Sequence, residues 1–244
     1  MALAVIPARY GSTRFPGKVL HPILGKPMVQ HVWERVKEAG VFQRVIIASD
    51  SDVVIRRCRQ FGADVRRTAI EHSSGTSRVA EVASDLDYKI VVNIQADEPL
   101  ISPPLLDLLV RRLNGTHWAS VSTPIVPIRD TNRLTDHNVV KLVLNRRYEI
   151  LYFSRAAIPG GFKSVPIPGQ TWEHQGVYAC RRDAIIAWSQ AKPSALEQVE
   201  DLEQLRFFYL DMKILGVPST YISPGVNTPE DVPRVEKIMK ENRS

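Results

Sequence analysis

Short apolar runs alternate with segments of helical periodicity through the first half of the chain. Predicted strands lie at 3–6, 44–49, 63–66, 89–95 and 118–123. Between them, predicted helices lie at 27–39, 52–61, about 78–86 after a polar loop at 73–78, and 103–114. In 27–39, for example, Met28, Val32 and Val36 recur at helical spacing, and Gly40 follows as a stop signal. Strands that alternate with helices in this way predict a mostly parallel sheet.

The middle of the chain has a different pattern. Three predicted strands, at 139–144, 148–153 and 173–180, follow one another without intervening helices, and a loop rich in Pro and Gly is predicted at 155–172. Helices at about 182–190 and 199–209, a strand near 220–222 and a last helix at 229–241 complete the chain. We therefore predict an α/β fold: a Rossmann-like, mostly parallel sheet with helices on both faces, plus a small mixed β insertion. The prediction is one domain over 1–244, with about 125–180 as an inserted lobe.

The amino-acid composition and charge limit the classes of function that the chain can have. The 244 residues are 44% hydrophobic, which is enough for a sizeable core. The formal net charge is +6, but the cations are scattered and form no basic tail, so small anionic substrates explain them as well as nucleic acid does. No run of eighteen apolar residues predicts a membrane span, and no signal-peptide layout opens the chain. Two cysteines are typical of a reducing cytoplasm, which is the compartment we expect.

The loop after the first strand carries candidate chemistry. It holds three cations, Arg9, Arg14 and Lys18, around small residues at 11–13 that let backbone N–H groups approach an anion. In an open α/β sheet, ligands bind beyond the carboxyl ends of the strands, so this loop is placed to hold a polyphosphate. It is not a Walker A loop, because Lys18 is followed by Val19. A solvated basic loop is the alternative interpretation.

This loop, IPARYGSTRFPGK, resembles the signature loop of the CMP-Kdo synthetases. These are cytidylyltransferases that activate 3-deoxy-manno-octulosonate (Kdo). Five further motifs follow in the family's order, namely NIQADEP at 93–99, LYFSR at 151–155, HQGVY at 174–178, LEQLR at 202–206 and GVNTPED at 225–231. The resemblance covers nearly the whole chain. It implies a homodimeric nucleotidyltransferase that uses CTP and Mg²⁺, transfers CMP to a small anionic acceptor and releases pyrophosphate, with no nucleic-acid or membrane partner.

The resemblance also suggests which residues bind the nucleotide. Lys18 is the expected catalytic cation, and Arg9 and Arg14 are expected beside it on the triphosphate. Ser74 and Gly75 open a Ser/Gly/Thr run that enters a helix, a place where N–H groups can meet an anion. Backbone groups near Ala8 and the strand end at Gln95 are expected to enclose cytosine. A plain helix-capping loop is the alternative for 73–78.

Asp97 is the candidate metal ligand and second catalytic residue. It follows an apolar strand directly, and Mg²⁺ is often bound by one or two carboxylates plus substrate phosphates. In the family, this aspartate and a second one in a G-V-D-T-P motif bind the metal. Here the second position is Asn227, and the glycine before the first is Ala96. The alternatives are that Asp97 and Asn227 each only cap a following helix.

Acceptor contacts follow from the resemblance alone. The expected residues are Arg78, Arg155, His174, Tyr178, Glu203 and Gln204. Without the resemblance, His174 would more often be structural, and 203–206 would more often be a solvated helix face. Ser77 stands where the family has an aspartate.

The acceptor is therefore open at this point. Ser77, Ala96 and Asn227 all depart from the family pattern, and the loss of two carboxylates would suit a more anionic acceptor. Kdo is our first expectation, because the matching residues at 155, 174 and 178 remain. A carboxylated phosphonate such as phosphonoformate is the alternative acceptor, and a catalytically weak CTP-binding module is the alternative class.

Overall fold

A computed structural model describes residues 1–11, 15–160 and 171–242. The contacts divide the chain into two units, Met1–Asp107 with Ser223–Ser244, and Leu108–Ile222. The strands, in chain order, are β1 Ala2–Pro7, β2 Pro22–Ile23, β3 Lys26–Pro27, β4 Phe42–Ser49, β5 Asp64–Arg67, β6 Ile90–Asn93, β7 Val121–Pro127, β8 Lys141–Leu144, β9 Ile150–Ser154, β10 Trp172–His174, β11 Tyr178–Arg181 and β12 Ile214–Pro218.

The helices lie between these strands and at the end of the chain. They are α1 Met28–Glu38, α2 Asp52–Gln60, α3 Gly75–Ser84, α4 Pro103–Asn114, α5 Asn132–Thr135, α6 Arg182–Gln190, α7 Ala195–Glu200, α8 Leu205–Tyr209 and α9 Val232–Glu241, with short 3₁₀ helices at Lys18–Leu20 and Pro229–Asp231. Within the described residues, no helix combines the length and the apolar character needed to cross a membrane.

The first unit contains a parallel sheet in the order β5-β4-β1-β6. Every residue of β1 is buried, as expected for a central strand covered on both faces. Parallel strands need crossover connections, and α1, α2 and α3 provide them. The carboxyl ends of β1 and β6 therefore lie side by side at one edge, and the loops that follow them carry the candidate nucleotide and metal residues.

The second unit is built around β7. β12 runs parallel to β7, whereas β10 and β11 run antiparallel to it, and β8 and β9 continue the sheet beyond β10 by antiparallel pairing. The mixed sheet agrees with the predicted β insertion, and the predicted α/β class is confirmed.

Three predicted elements were wrong in this second unit. The strand predicted at 173–180 is two strands, β10 and β11, separated by residues 175–177, where the Val177 N–H donates to the Gln175 carbonyl (2.8 Å) in a local turn. The helix predicted at 199–209 is α7 and α8, separated near Asp201, which takes a left-handed conformation (φ 52°). The strand predicted near 220–222 lies instead at β12.

Candidate active site

Lys18 and Asp97 meet at the carboxyl ends of β1 and β6. Lys18 Nζ lies 2.5 Å from Asp97 Oδ2, and the two side chains are 12% and 29% exposed. Lys18 begins its 3₁₀ helix after Gly17, whose left-handed conformation (φ 68°) a residue with a side chain rarely adopts. This turn directs Lys18 toward the second strand end. The two residues predicted to be catalytic thus form one ion pair.

The backbone of Asp97 holds the segment that carries Asn227. The Asp97 carbonyl accepts a hydrogen bond from the Val226 N–H (2.9 Å). Asn227 is exposed, and its N–H donates to Asp231 Oδ2 (2.9 Å). The N-cap of the following 3₁₀ helix is Thr228, not Asn227. The two predicted metal ligands therefore belong to segments joined by a backbone hydrogen bond.

Glu98, which the sequence patterns did not single out, is a buried carboxyl next to Asp97. Burial raises the pKa of its carboxyl to about 7; the Ser223 hydroxyl opposes this rise, Asp97 adds to it and Lys18 lowers it. Glu98 Oε2 is buried and has no hydrogen-bond partner within the described residues. Its place directly after Asp97 was the one available signal, but a sequence does not show which of two adjacent carboxylates is buried.

Gly75 brings the predicted nucleotide segments together. A Cβ on Gly75 would lie 3.1 Å from Pro7 Cγ and 3.7 Å from Gln95 Oε1. The end of β1, the start of α3 and the second residue after β6 are thus in close contact. Ser74 is the N-cap of α3, and Ser77 completes a capping box with it. Ser77 therefore keeps the capping role that an aspartate could have had at that position.

The other predicted nucleotide residues differ in their surroundings. Ala8 is buried; its N–H donates to the Ala48 carbonyl (2.8 Å) and its carbonyl accepts from Ser49 Oγ (2.6 Å). The N–H of Ala8 is thus used inside the sheet. Arg9 is exposed. Arg14 lies outside the described residues.

Arg78 is buried in the first unit. It donates to Asp50 Oδ2 (3.0 Å), to the Ala69 carbonyl (3.2 Å) and to the Thr68 hydroxyl. It is 3% exposed. These contacts compensate its charge within the protein and favour a structural role. Its predicted contact with an acceptor stays a prediction.

In the second unit, His174 lies among aromatic rings. Its ring centroid is 5.1 Å from that of Phe153 and 5.2 Å from that of Tyr178. Burial lowers the pKa of His174 to about 3, so the imidazole is neutral near pH 7. The Thr123 hydroxyl donates its single proton to the Val177 carbonyl (2.7 Å), and it therefore accepts from the Nε2–H of His174 (3.0 Å). Nδ1 of the neutral ring is then an acceptor.

Tyr178, Glu203 and Gln204 supply polar groups in the same unit. Burial raises the pKa of Tyr178 well above its usual range, and the Glu203 carboxylate adds to the rise, so the phenol stays protonated. Gln204 is buried, which is unlike a residue of a solvated helix face. The backbone carbonyl of Glu203 accepts from Trp188 Nε1 (3.1 Å), which fixes the start of α8.

Arg155 is surrounded by backbone carbonyls. Its guanidinium donates to the carbonyls of Glu200 (3.0 Å), His137 (3.0 Å) and Asp201 (3.2 Å). The fully buried Lys141 donates to the Arg155 carbonyl as well. Arg155 is thus fixed in position, and its side chain is one-third exposed.

Metal chemistry at this edge depends on oxygen ligands. Among the described residues, no group of three or more His, Cys, Asp or Glu side chains is arranged to hold a metal ion. The predicted donors in the first unit are the Asp97 carboxylate and the Asn227 amide. A hard cation such as Mg²⁺ is suited to this set, because substrate phosphates and water complete its six oxygen ligands.

Comparisons with known proteins agree over nearly the whole chain. A model of the family described as cytidylyltransferase matches residues 3–214. A 3-deoxy-manno-octulosonate cytidylyltransferase of Geobacter metallireducens is 41% identical over 248 residues, which cover 97% of this chain and 97% of that protein. The enzyme of the same name from Solibacter usitatus is 44% identical over 239 residues, with coverages of 98% and 94%.

Comparison with solved structures also finds a protein that binds CTP. The structure of CMP:2-keto-3-deoxy-manno-octonic acid synthetase complexed with CTP matches with a TM-score of 0.94 and 36% identity, over 99% of each chain. The 4-diphosphocytidyl-2C-methyl-D-erythritol synthase of Anaerococcus prevotii matches with a TM-score of 0.67 and 12% identity, over 98% of each chain, and shares the fold alone.

Proposed function

The chain belongs to the cytidylyltransferase family, and we propose that it transfers CMP from CTP to 3-deoxy-manno-octulosonate, giving CMP-Kdo and pyrophosphate. The Lys18–Asp97 pair carries the proposal (2.5 Å). It combines a cation for phosphate with a carboxylate for a metal at the edge where an open α/β sheet binds its ligands. The relatives of the same printed name support the choice of acceptor.

In the proposed reaction, an acceptor hydroxyl oxygen attacks the α-phosphorus of CTP. A P–O bond forms while the hydroxyl loses its proton to water, the bond from the α-phosphorus to the bridging oxygen breaks, and pyrophosphate leaves with the electron pair. Lys18 and Arg9 neutralise the charge that moves onto the leaving group, and Arg14 is proposed for the same task. Such catalysis consists mostly of positioning and charge stabilisation.

Enzymes of this kind work with a divalent metal, and we propose Mg²⁺ here. Asp97 and Asn227 would hold it, with phosphate oxygens completing the coordination. When bound, the ion neutralises phosphate charge and acts as a Lewis acid. Lys18 has to release Asp97 for this, and the phosphates are the anions that Lys18 would bind in exchange.

Base choice is part of the proposal. Gly75 lets the start of α3 lie close to Pro7 and Gln95, since a Cβ there would be only 3.1 Å from Pro7 Cγ. A pocket bounded by these segments would suit a small pyrimidine and not a larger purine. Gln95 offers an amide that can donate to and accept from the cytosine edge.

The polar groups of the second unit support a sugar acid as the acceptor. His174 is neutral and has an acceptor nitrogen, and the phenol of Tyr178 stays protonated. Neutral donors and acceptors of this kind recognise hydroxyl groups. The Glu203 carboxylate also accepts from hydroxyls, but it would repel the multiple charges of a phosphonate. Phosphonoformate therefore has less support than Kdo.

We further propose a cytoplasmic homodimer. Both cysteines, Cys58 and Cys180, are buried free thiols, which suits a reducing compartment. The second unit exposes large apolar side chains at Leu151 (55%), Val199 (85%) and Tyr209 (67%), and we propose that a second copy of the chain covers Val199. Sedimentation of the wild type and of Val199→Asp tests this: a monomeric wild type would contradict it.

An acceptor panel tests the function. Pyrophosphate release is measured with CTP, ATP or GTP, and with Kdo, phosphonoformate or no acceptor. We expect release with CTP and Kdo only. Release with phosphonoformate but not Kdo would select the alternative acceptor. CTP binding without release for any acid would indicate a binding module.

A further inference from the structure

Glu98 has no part in the chemistry described above, although its carboxyl lies beside Asp97. We propose that Glu98 is a positioning residue: its buried side chain holds segment 223–227 against the loop that follows β6 and so sets where Asn227 lies. The effect of Glu98 on metal binding rests on the proposed function, because it assumes that Asn227 is a metal ligand. The effect of Glu98 on the position of the segment does not rest on it.

Gly225 and Val226 of this segment contact Glu98 and Asp97, two consecutive residues of the loop after β6. The Val226 N–H donates to the Asp97 carbonyl (2.9 Å). A Cβ built on the preceding Gly225 would lie 3.3 Å from Glu98 Oε1 and 3.5 Å from the Asp97 carbonyl oxygen. The Glu98 carboxyl therefore packs closely against the Gly225 backbone, and an added methyl group would require the carboxyl to move by a few tenths of an ångström.

The far side of the segment is fixed as well. The Val226 side chain is fully buried in an apolar cluster with Phe15, Ile23 and Leu100. Beyond it, the N–H groups of Asn227 and Thr228 both donate to Asp231 Oδ2 (2.9 and 3.0 Å). Asn227 thus lies between two held points, and the first of them, Val226, is bonded directly to Gly225, the residue that the Glu98 carboxyl contacts.

The chemistry of Glu98 indicates a functional reason for its presence. A buried carboxyl with one oxygen that lacks a partner in the described residues costs stability, and a neutral side chain would fill the same space at lower cost. Buried polar atoms without a hydrogen-bond partner are few in folded proteins, and a functional role is one explanation for their presence. Here the carboxyl contacts the segment that presents Asn227.

Glycine and carboxylate variants test this contact. Gly225→Ala adds the methyl group, Glu98→Asp withdraws the carboxyl by one methylene, and the double variant combines them. Gly40→Ala is the matched control, because a Cβ there meets nothing within 4 Å. The first measurement is hydrogen exchange of the Val226 amide in the free protein. The second is Mn²⁺ affinity with CTP and without acceptor, by electron paramagnetic resonance.

We expect Gly225→Ala to speed exchange at Val226 by roughly tenfold, which corresponds to about 1.4 kcal/mol of local stability. It should weaken Mn²⁺ binding several-fold, and Glu98→Asp should restore both in the double variant. Exchange that is unchanged in Gly225→Ala, or effects that simply add in the double variant, would overturn the proposal. If exchange changes as expected but Asn227→Ala binds Mn²⁺ like the wild type, the metal assignment of the proposed function fails and the positioning role of Glu98 is retained.

Discussion

Lys18 Nζ and Asp97 Oδ2 are 2.5 Å apart, although the two residues are 79 positions apart in the chain. The pair joins the loop after β1 to the loop after β6 in the first unit. Each partner neutralises the other, and in the proposed function phosphate would replace Asp97 beside Lys18 and a metal ion would replace Lys18 beside Asp97. We therefore expect nucleotide and metal to bind together. If the nucleotide alone bound Lys18, the Asp97 carboxylate would lose its counter-charge, and if the metal alone bound Asp97, the Lys18 ammonium would lose its own.

Replacement of Lys18 should weaken CTP binding. We expect Lys18→Met to cost about 1.5–3 kcal/mol of binding free energy, the scale of a hydrogen bond to a charged group. Isothermal titration with CTP in the presence of Mg²⁺ measures it. Lys26→Met is the control, because Lys26 pairs with Glu34 at the surface. If Lys18→Met bound CTP with the affinity of the wild type, Lys18 would not be part of the CTP-binding site.

Introduction of a carboxylate at Asn227 should strengthen metal binding. We expect Asn227→Asp to lower the Mg²⁺ concentration needed for half-maximal rate. The new charge should also disfavour multiply charged acceptors, since two unit charges ~4 Å apart repel by about 4 kcal/mol at an effective dielectric of ~20, part of which a shared Mg²⁺ offsets. Rates against Mg²⁺ with Kdo and with phosphonoformate check both effects.

The control for this substitution is Asn132→Asp, at an exposed asparagine of the second unit. An Asn227→Asp enzyme with unchanged Mg²⁺ dependence and unchanged acceptor ranking would show that residue 227 has no contact with metal or acceptor.

His174 should make stability depend on pH. Its pKa is lowered from 6.5 to about 3 by burial, so the unfolded chain binds the proton first as pH falls. The stability that the neutral ring contributes is present above pH 6.5 and is lost progressively as pH falls toward 3. Between pH 7 and pH 5, this group alone should cost up to about 2 kcal/mol of the free energy of unfolding.

Urea unfolding of the wild type and of His174→Gln at both pH values measures this loss. The variant should lose less stability than the wild type over that interval, and His117→Gln, at an exposed histidine, should behave like the wild type. Equal losses in all three proteins would mean that His174 is protonated inside the fold.

Periodicity and stop signals were enough to predict the elements with strong local determinants. The helices Pro103–Asn114 and Arg182–Gln190 have the predicted bounds. β12 was missed because Gly216 and a following proline interrupt its apolar run. The structure explains this glycine, since a Cβ on Gly216 would lie 2.8 Å from Ile125 Cδ1 on β7. Contacts between strands, which no local pattern shows, decide such positions.

The site was partly predictable for the same reason. Motifs identified Lys18 and Asp97 separately, but the ion pair between them depends on the turn at Gly17 and on the order of the parallel strands. The neutral state of His174 depends on burial by rings from several elements. The proposed role of Glu98 depends on a segment more than a hundred residues further along the chain.

The most direct test of the account is the identity of the phosphorus products. Purified enzyme is incubated with CTP, Kdo and Mg²⁺, and the reaction is followed by ³¹P nuclear magnetic resonance, with Asp97→Asn as the control. Attack at the α-phosphorus predicts one phosphodiester signal from CMP-Kdo and an equal amount of pyrophosphate, both greatly reduced in Asp97→Asn. Formation of CDP with orthophosphate, or no phosphodiester with Kdo, would contradict it.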